Sequence, residues 1–194
     1  IWDTFAASTG MNDSERRSFI ERTDALVAAV AGTGFRFTPV AREAGLSTEL
    51  GFRERGGVWV KDETHNVAGS HKARHLFTEL LHLLVAESKK LVDWLPASRP
   101  ELAIASCGNA AIAASTLAAS VNWPIRVFVP EAADEAVIAV LDSLGATVER
   151  CPRRADDPPG DPCVLRFRER VAAGARSEEH TSELQSPYVI SYAV

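Results

Sequence analysis

The chain has 194 residues, of which 46% are hydrophobic and 24% are charged, and its formal net charge is -5 at pH 7. These proportions are typical of a globular protein that can form a hydrophobic core. The negative charge argues against a nucleic-acid-binding surface, which would need clustered Lys and Arg. The sequence contains no stretch that approaches about 18 consecutive apolar residues, so it predicts no membrane span.

The first half of the chain is predicted to begin with a long helix. The helix runs from about Asn12 to Ala31, with Asn12 or Asp13 as its N-cap and Gly32 as its stop. Residues 35–40 are expected to be extended, because Pro39 disfavours the helical conformation at the preceding residue.

A short strand, a polar loop and a second helix follow. Residues 58–61 follow two glycines and are typical of a strand, and residues 62–69 form a polar loop that contains Gly69. Ser70 is predicted to be the N-cap of a helix that runs to about Glu87.

From residue 101 onwards, short apolar runs alternate with helical segments of about ten residues. This alternation predicts a parallel sheet with right-handed crossover connections. The expected strands cover residues 102–105, 125–129 and 146–150, and the expected helices cover residues 110–120, 134–144 and 162–173.

The last segment, residues 176–194, resembles a translated sequencing-library adapter. The letters RSEEHTSELQS at 176–186 and ISYAV at 190–194 match two fixed adapter blocks in one frame, and the residues between them occupy the place of a sample index. We therefore expect this segment to be artefactual and the gene to be truncated near Ala175. A genuine polar C-terminal tail is the alternative.

The polar loop and the helix after it contain a lysine in an unusual position. Gly69 permits a tight turn, and Lys72 falls in the first turn of the predicted helix. The positive end of a helix disfavours an ammonium group and therefore favours the neutral amine that a Schiff-base lysine needs. From these residues alone, a surface lysine on an amphipathic helix remains an alternative.

A second turn follows the strand at 102–105. Its residues, Ser106, Cys107, Gly108 and Asn109, open a helix, and backbone N–H groups at such a turn bind carboxylate or phosphate. A dinucleotide fingerprint would need three glycines, so a Rossmann-type nucleotide binder is a weak alternative. Cys107 has no identifiable paired base, which argues against a nucleophile. A simple helix-capping role for Asn109 remains open.

Other chemistry-bearing residues predict no metal site. The three cysteines match no zinc-ligand spacing, and their odd number fits a reducing cytoplasm. His71 and His75 have a spacing that suits metal ligation, and His82 could lie on the same helix face, but no third ligand is evident.

Both turns resemble those of threonine synthases and their relatives in the pyridoxal 5′-phosphate (PLP) fold-type-II superfamily. The family pattern at the first turn is K-D-E-x-x-N-P-T-G-S-x-K-x-R, and the second turn is similar to S-S/T-G-N-x-A. Val67-Ala68 replaces Pro-Thr, His71 stands where Phe is common, and Cys107 replaces Ser or Thr. The first pattern is matched by Lys61, Asp62, Glu63, Asn66, Gly69, Ser70, Lys72 and Arg74.

Three further segments resemble the family in the same order along the chain. Thr38-Pro39-Val40 is similar to its T-P-L segment, residues 127–130 to V-F-V-P, and residues 141–148 to L-x-x-L-G-A-x-V.

The resemblance implies a role for each site residue. Lys72 would form the internal aldimine with PLP and move protons at the substrate α-carbon. Asn109 would hydrogen-bond the 3′-hydroxyl of PLP, and Ser106, Cys107, Gly108 and Asn109 would bind the substrate. Because a thiol is a weak donor, we expect carboxylate binding at Cys107 to depend more on the backbone.

The resemblance also implies the fold and its division. We expect an α/β protein of PLP fold type II, with parallel twisted sheets and flanking helices, in truncated form. Residues 1–99 would begin the large PLP-binding domain, 100–152 would form the small mobile subdomain, and 153–175 would return to the large domain. The phosphate-binding loop and the residue that meets the pyridine nitrogen are expected downstream.

The implied activity is that of a PLP-dependent lyase that acts on an amino acid by β- or γ-elimination or replacement. The Lys-Asp-Glu opening favours threonine synthase, which converts O-phosphohomoserine to threonine. A threonine/serine dehydratase or another β-eliminating relative is the first alternative, and a non-catalytic ligand-binding relative or an inactive fragment is the second. The complete protein is expected to be a cytoplasmic homodimer that binds neither nucleic acid nor membranes.

Overall fold

The computed structural model describes residues 2–53 and 56–175. The segment predicted to derive from an adapter, residues 176–194, lies outside the described residues. Seven α-helices and five strands are found in the described part of the chain.

Two helices open the chain, α1 (Trp2–Ser8) and α2 (Asp13–Ala31). The predicted boundaries of α2 are confirmed. The side chain of Asn12 accepts a hydrogen bond from the Glu15 N–H at 3.0 Å, and Glu15 accepts one from the Asn12 N–H at 2.8 Å. This reciprocal capping box begins the helix, and Gly32, with φ +72°, ends it in the left-handed conformation. Helix α1 was not predicted.

A small antiparallel ribbon follows α2. Strand β1 (Val40–Arg42) pairs with β2 (Trp59–Lys61), so that Val40 lies opposite Lys61. The short helix α3 (Ala44–Glu49) lies between the two strands. The sequence predicted β2 but neither α3 nor the antiparallel pairing, because the two strands are too short to show a periodic pattern.

The second half of the chain forms the predicted parallel sheet. Its strands lie in the order β3 (Leu102–Ala105), β4 (Ile125–Val129) and β5 (Thr147–Arg150), and all pairs are parallel. The connections are α5 (Asn109–Ser120) and α6 (Glu135–Ser143). Asp134 caps α6 by accepting a hydrogen bond from the Ala136 N–H at 2.8 Å. The predicted strand and helix positions are therefore confirmed to within one or two residues.

Helices cover both faces of this sheet. Val127 and Val129 of β4 belong to a core that also contains side chains of α2, α4 and α5, whereas Phe128 packs in a second cluster with Phe167 of α7 (Pro162–Ala172). Alternate residues of a strand point to opposite faces, so β4 is buried on both sides. This burial explains why the strand is a continuous apolar run in the sequence.

The larger core joins residues from both sides of the boundary predicted near residue 100. It contains Val27 of α2 and Phe77 of α4 (Lys72–Ser88), together with Leu117 of α5 and Leu141 of α6. The domain boundaries near residues 100 and 152 remain predictions.

Candidate active site

Lys72 is the first residue of α4, and its side chain is half-buried. The predicted position in the first turn of a helix is therefore confirmed. The N-cap of α4 is His71 and not the predicted Ser70, which has an extended backbone and whose hydroxyl accepts a long hydrogen bond of 3.4 Å from the Lys72 N–H. His71, between the two, already has helical dihedral angles and is exposed. The lysine thus follows directly on an irregular turn.

That turn is a single 3₁₀ turn, Val67–Gly69, with two left-handed residues in succession. Ala68 has φ +54° and Gly69 has φ +64°. Glycine adopts this conformation without strain, whereas an alanine loses about 1 kcal/mol relative to the right-handed region. The surrounding contacts must therefore hold Ala68, which occupies one of the two positions where the family has Pro-Thr.

The polar side chains around this turn converge on the carboxylate of Glu63, with which they form hydrogen bonds and ion pairs. The Thr38 hydroxyl donates to Oε1 at 2.7 Å, and the Asn66 amide donates to Oε2 at 2.8 Å. Arg74 Nε lies 3.2 and 3.0 Å from the two oxygens, and Lys61 Nζ lies 3.4 Å from Oε1. We call these five residues, Thr38, Lys61, Glu63, Asn66 and Arg74, the Glu63 cluster.

The Glu63 cluster keeps its carboxylate ionised. The Thr38 hydroxyl makes the largest contribution, and with Arg74, Asn66 and Lys61 it outweighs the opposing effect of burial and lowers the pKa of Glu63 from 4.5 to about 2. Glu63 is therefore negatively charged throughout the neutral pH range. Four of the residues that match the family pattern, Lys61, Glu63, Asn66 and Arg74, thus make contacts within the protein.

The second turn lies at the carboxyl end of β3. The Ser106 N–H donates to the Phe128 carbonyl at 3.1 Å, which extends the pairing with β4, and the Gly108 N–H approaches the Ser106 hydroxyl at 3.5 Å. Gly108 directly precedes α5, and Asn109 is the first residue of that helix. Cys107 and Asn109 are exposed.

Asn109 is not the cap of α5. The helix has no side-chain cap hydrogen bond, and among residues 2–53 and 56–175 no group is hydrogen-bonded to the Asn109 amide. The simple capping role is therefore wrong. The first N–H groups of a helix have no acceptor within it, so the start of α5 can bind an anion.

The two turns belong to elements that pack against each other. Helices α4 and α5, which begin at Lys72 and Asn109, are in contact along the core, and the 3₁₀ turn Val67–Gly69 also contacts α5. Val67 is fully buried in the same cluster as Ala111 of α5. The roles assigned to Lys72, Ser106, Cys107, Gly108 and Asn109 remain predictions.

The three histidines of α4 have different surroundings. His71 and His75 are exposed, whereas His82 is buried with its ring centroid 4.0 Å from that of Phe5. Burial lowers the pKa of His82. Within the described ranges, there is no group of three or more His, Cys, Asp or Glu residues that could hold a metal ion. All three cysteines are free thiols.

No helix among residues 2–53 and 56–175 combines the length and the apolar character that crossing a membrane requires.

Sequence reasoning did not find the role of Thr38 or the convergence on Glu63. Thr38 was noticed only as part of a frequent tripeptide, yet among the described residues it makes the shortest hydrogen bond to the Glu63 carboxylate. The two residues are 25 positions apart, and a contact of this kind depends on how the segment before β1 lies against the polar loop. The two acidic residues between Lys61 and Arg74, Asp62 and Glu63, were the available signal.

A family model described as "Pyridoxal-phosphate dependent enzyme" matches residues 32–191, which is more than half of the chain. The chain therefore belongs to this family of PLP-dependent enzymes, and its α/β architecture is that of fold type II. The match includes most of the segment predicted to be adapter-derived, so that origin stays a prediction. No curated protein sequence matches the chain significantly.

Solved structures of the same fold include a PLP-dependent aspartate racemase, with a TM-score of 0.56 and 19% identity over 82% of this chain and 44% of that one. Diaminopropionate ammonia lyase from Escherichia coli in its apo form has a TM-score of 0.55 and 16% identity, over 82% of this chain and 45% of that one. Threonine deaminase isoform 2 from Solanum lycopersicum has a TM-score of 0.52 and 18% identity, over 87% of this chain and 43% of that one. The chain thus spans less than half the length of these proteins.

The residues present fit the cofactor that the family uses. PLP offers an aldehyde to an amine, a phenolic oxygen to a hydrogen-bond donor and an anionic phosphate to N–H groups. The described residues include a half-buried lysine at the start of α4, and an exposed asparagine amide at the start of α5 that has no partner within them. The amine and the amide at these two helix starts are therefore groups that could bind the cofactor of the family.

Proposed function

We propose that the chain provides the cofactor-carrying lysine, Lys72, of a PLP-dependent lyase that eliminates or replaces a β- or γ-substituent of an amino acid. The proposal rests on the family match together with the position of Lys72, which begins a helix directly after a turn with two left-handed residues. The threonine synthase reaction, from O-phosphohomoserine and water to threonine and phosphate, is the specific activity that we favour.

When bound, PLP withdraws electrons from the α-carbon of an amino acid. In this proposal, the Lys72 amine takes a proton from that carbon or returns one to it. The Asn109 amide would donate a hydrogen bond to the 3′-hydroxyl oxygen of the cofactor. The turn at Ser106, Cys107 and Gly108 receives the substrate carboxylate, with the backbone N–H groups at the start of α5 as the main donors because the thiol donates weakly.

The choice of substrate rests on the Lys61-Asp62-Glu63 sequence, which resembles threonine synthases. A threonine/serine dehydratase is the second candidate, since a threonine deaminase and an ammonia lyase share the fold. The two activities differ in their products. The protein encoded by the complete gene should release phosphate from O-phosphohomoserine, whereas formation of ammonia and a 2-oxo acid from threonine would favour the dehydratase.

The setting of the enzyme is also a proposal. We propose a cytoplasmic homodimer, on the basis of the family resemblance and the three unpaired thiols. Size-exclusion chromatography with light scattering on the protein from the complete gene would test the dimer.

Absorption spectroscopy of the 194-residue chain with added PLP tests the role of Lys72. The chain has three other lysines, Lys61, Lys89 and Lys90, of which Lys90 is exposed at the end of α4. We expect the wild-type chain and the Lys90→Ala variant to develop the visible band of lysine-bound cofactor, and the Lys72→Ala variant to lack it. An equal band in Lys72→Ala would contradict the proposal.

A further inference from the structure

We propose that Glu63 is a positioning residue that fixes the backbone at Lys72 by joining the segment before β1 to the first turn of α4. The inference rests on the proposed function of Lys72, because it assigns Glu63 to the reaction that Lys72 performs. It also makes a separate claim, that one carboxylate determines the conformation of the turn that carries the lysine.

The geometry places Glu63 between both ends of the lysine segment. Lys61, at the end of β2, and Arg74, in the first turn of α4, contact the same carboxylate from positions 13 residues apart. Arg74 lies two residues after Lys72, and its Nη2 donates to the Arg36 carbonyl at 2.7 Å. The start of α4 is therefore anchored from outside the helix, on the same side as Glu63.

The anchor is needed because the segment between these ends has little regular structure. Its backbone hydrogen bonds include Asn66 N–H to the Glu63 carbonyl at 3.0 Å and Gly69 N–H to the Asn66 carbonyl at 2.9 Å. Ala68 in this segment holds an unfavourable left-handed conformation. Side-chain contacts must keep it there, and the side chains of Glu63 and Asn66 are almost completely buried.

Burial makes these contacts strong and their loss costly. Hydrogen bonds to a charged group are stronger than those between neutral groups, and they gain further strength in a poorly solvated site. The Asn66 side chain has few other hydrogen-bond partners, because its Oδ1 is already buried without a partner in the described part of the chain. Loss of Glu63 would leave the Asn66 Nδ2 without its acceptor as well.

The same contacts argue that Glu63 positions Lys72 and does not react. Oε1 accepts from Thr38 and Arg74, Oε2 accepts from Asn66 and Arg74, and Lys61 Nζ forms an ion pair with Oε1 at 3.4 Å. A carboxylate accepts about four hydrogen bonds, so this one has no capacity left for a substrate. Its low pKa also makes it a poor proton acceptor near neutral pH.

The chain offers a closely matched control for the test variant Glu63→Gln. A glutamine would keep the shape of the side chain but turn an amide N–H₂ toward Arg74 or Asn66, both of which donate. The control, Asp62→Asn, makes the same chemical change one residue earlier. Among the residues that the structure describes, Asp62 accepts only from the backbone and hydroxyl of Thr64 through Oδ1, and an asparagine oxygen can do the same.

Two measurements on the 194-residue chain test the proposal. The first is amide hydrogen exchange of the peptide that covers residues 61–76, without PLP. The second is the initial rate at which PLP and borohydride label Lys72, relative to Lys89 and Lys90, by peptide mapping. In Glu63→Gln we expect faster exchange in this peptide and a fall of roughly ten- to a hundredfold in the relative labelling rate of Lys72. Asp62→Asn should match the wild type in both.

A second pair of variants keeps the test decisive if Glu63→Gln folds poorly. Thr38→Val removes the hydroxyl that donates to Glu63 and leaves every charge in place, so it should show the same two effects in weaker form. Thr38→Ser restores the hydroxyl and should restore wild-type exchange and labelling. A purely structural role for Thr38 would lower the melting temperature without changing the relative labelling of Lys72.

The outcomes separate the two proposals. If the wild type labels Lys72 selectively and Glu63→Gln and Thr38→Val do so at the same rate with unchanged exchange, the positioning role is wrong and the proposed function stands. If the wild type labels its lysines only according to their exposure, the proposed function fails. Faster exchange in Glu63→Gln with unchanged relative labelling of Lys72 would mean that Glu63 stabilises the turn without positioning the lysine, which would overturn the positioning role and leave the proposed function standing.

Discussion

The lysine-bearing region and the parallel sheet region are stabilised in different ways. The sheet of β3, β4 and β5 is buried between helices by apolar side chains such as Val127 and Leu141, both completely buried. The turn before Lys72 is held by the five polar residues of the Glu63 cluster, and the nearby β1–β2 ribbon has little apolar cover. Apolar burial is non-directional and insensitive to pH, whereas a polar cluster depends on the direction of its hydrogen bonds and on the protonation of its groups. The contrast suggests that the scaffold and the reactive turn can be altered separately.

The largest effect is expected in the scaffold. Leu141→Ala should lower the free energy of unfolding by about 2–5 kcal/mol, because it leaves a cavity beneath α6 in the core. The neighbouring Val140→Ala is the control, since Val140 is 40% exposed and should cost much less. Urea unfolding measures both. Equal losses would mean that α6 is not packed as described.

The lysine region should respond to acid. The pKa of Glu63 is lowered in the folded state to about 2 from 4.5, so its stabilising effect is complete above pH 4.5 and is lost as the pH falls from there toward 2. The difference in unfolding free energy between the wild type and Glu63→Gln should therefore shrink over that range. Urea unfolding at several pH values measures it.

Other acidic groups do not obscure this comparison. Burial raises the pKa of Glu101, but hydrogen bonds from Arg126 and Arg170 outweigh it, so that this pKa is also lowered. Glu101 is present in both proteins, and its effect cancels in the difference. A difference that stayed constant or grew on acidification would show that the Glu63 carboxylate is not paired as described.

A smaller effect is expected at the start of α2. Asn12→Ala removes the half of the capping box in which the Asn12 side chain accepts from the Glu15 N–H, and it should cost about 1 kcal/mol. Ser14→Ala, two residues later on an exposed position of the helix, should cost nothing measurable. Thermal unfolding of the two variants gives the comparison, and equal melting temperatures would contradict the capping box.

The smallest effect is expected just before the ribbon. Phe37 is fully exposed, so Phe37→Ser should change the free energy of unfolding by no more than about 0.5 kcal/mol. The same substitution at a buried position of the sheet, Phe128→Ser, should cause a large loss of unfolding free energy, because Phe128 is 1% exposed. A large loss for Phe37→Ser in urea unfolding would mean that something covers this residue.

Sequence patterns predicted the sheet region well because its elements carry local signals. Asn12 and Gly32 mark the two ends of α2 in the sequence. Apolar runs that alternate with short helices mark the positions of β3, β4 and β5. The ribbon was only half predicted. Strands of three residues contain too little periodicity to predict their pairing. Helix α3 has only six residues and no side-chain cap, so its start carries no sequence signal.

The candidate site was predicted as residues but not as an arrangement. The family pattern singled out Lys72 and Asn109. The structure confirms that each lies at the start of a helix and adds that these helices pack together. The Glu63 cluster could not be predicted, since Thr38 and Arg74 reach Glu63 across 25 and 11 residues. Such convergence is a property of the tertiary structure.

The most direct test of the central claim is to find which side chain holds the cofactor. The protein encoded by the complete gene would be reduced with borohydride in the presence of an equimolar amount of PLP, digested and mapped by mass spectrometry. The account predicts one pyridoxyl group per chain, on Lys72. A label on another lysine, or spread over Lys61, Lys89 and Lys90, would contradict it.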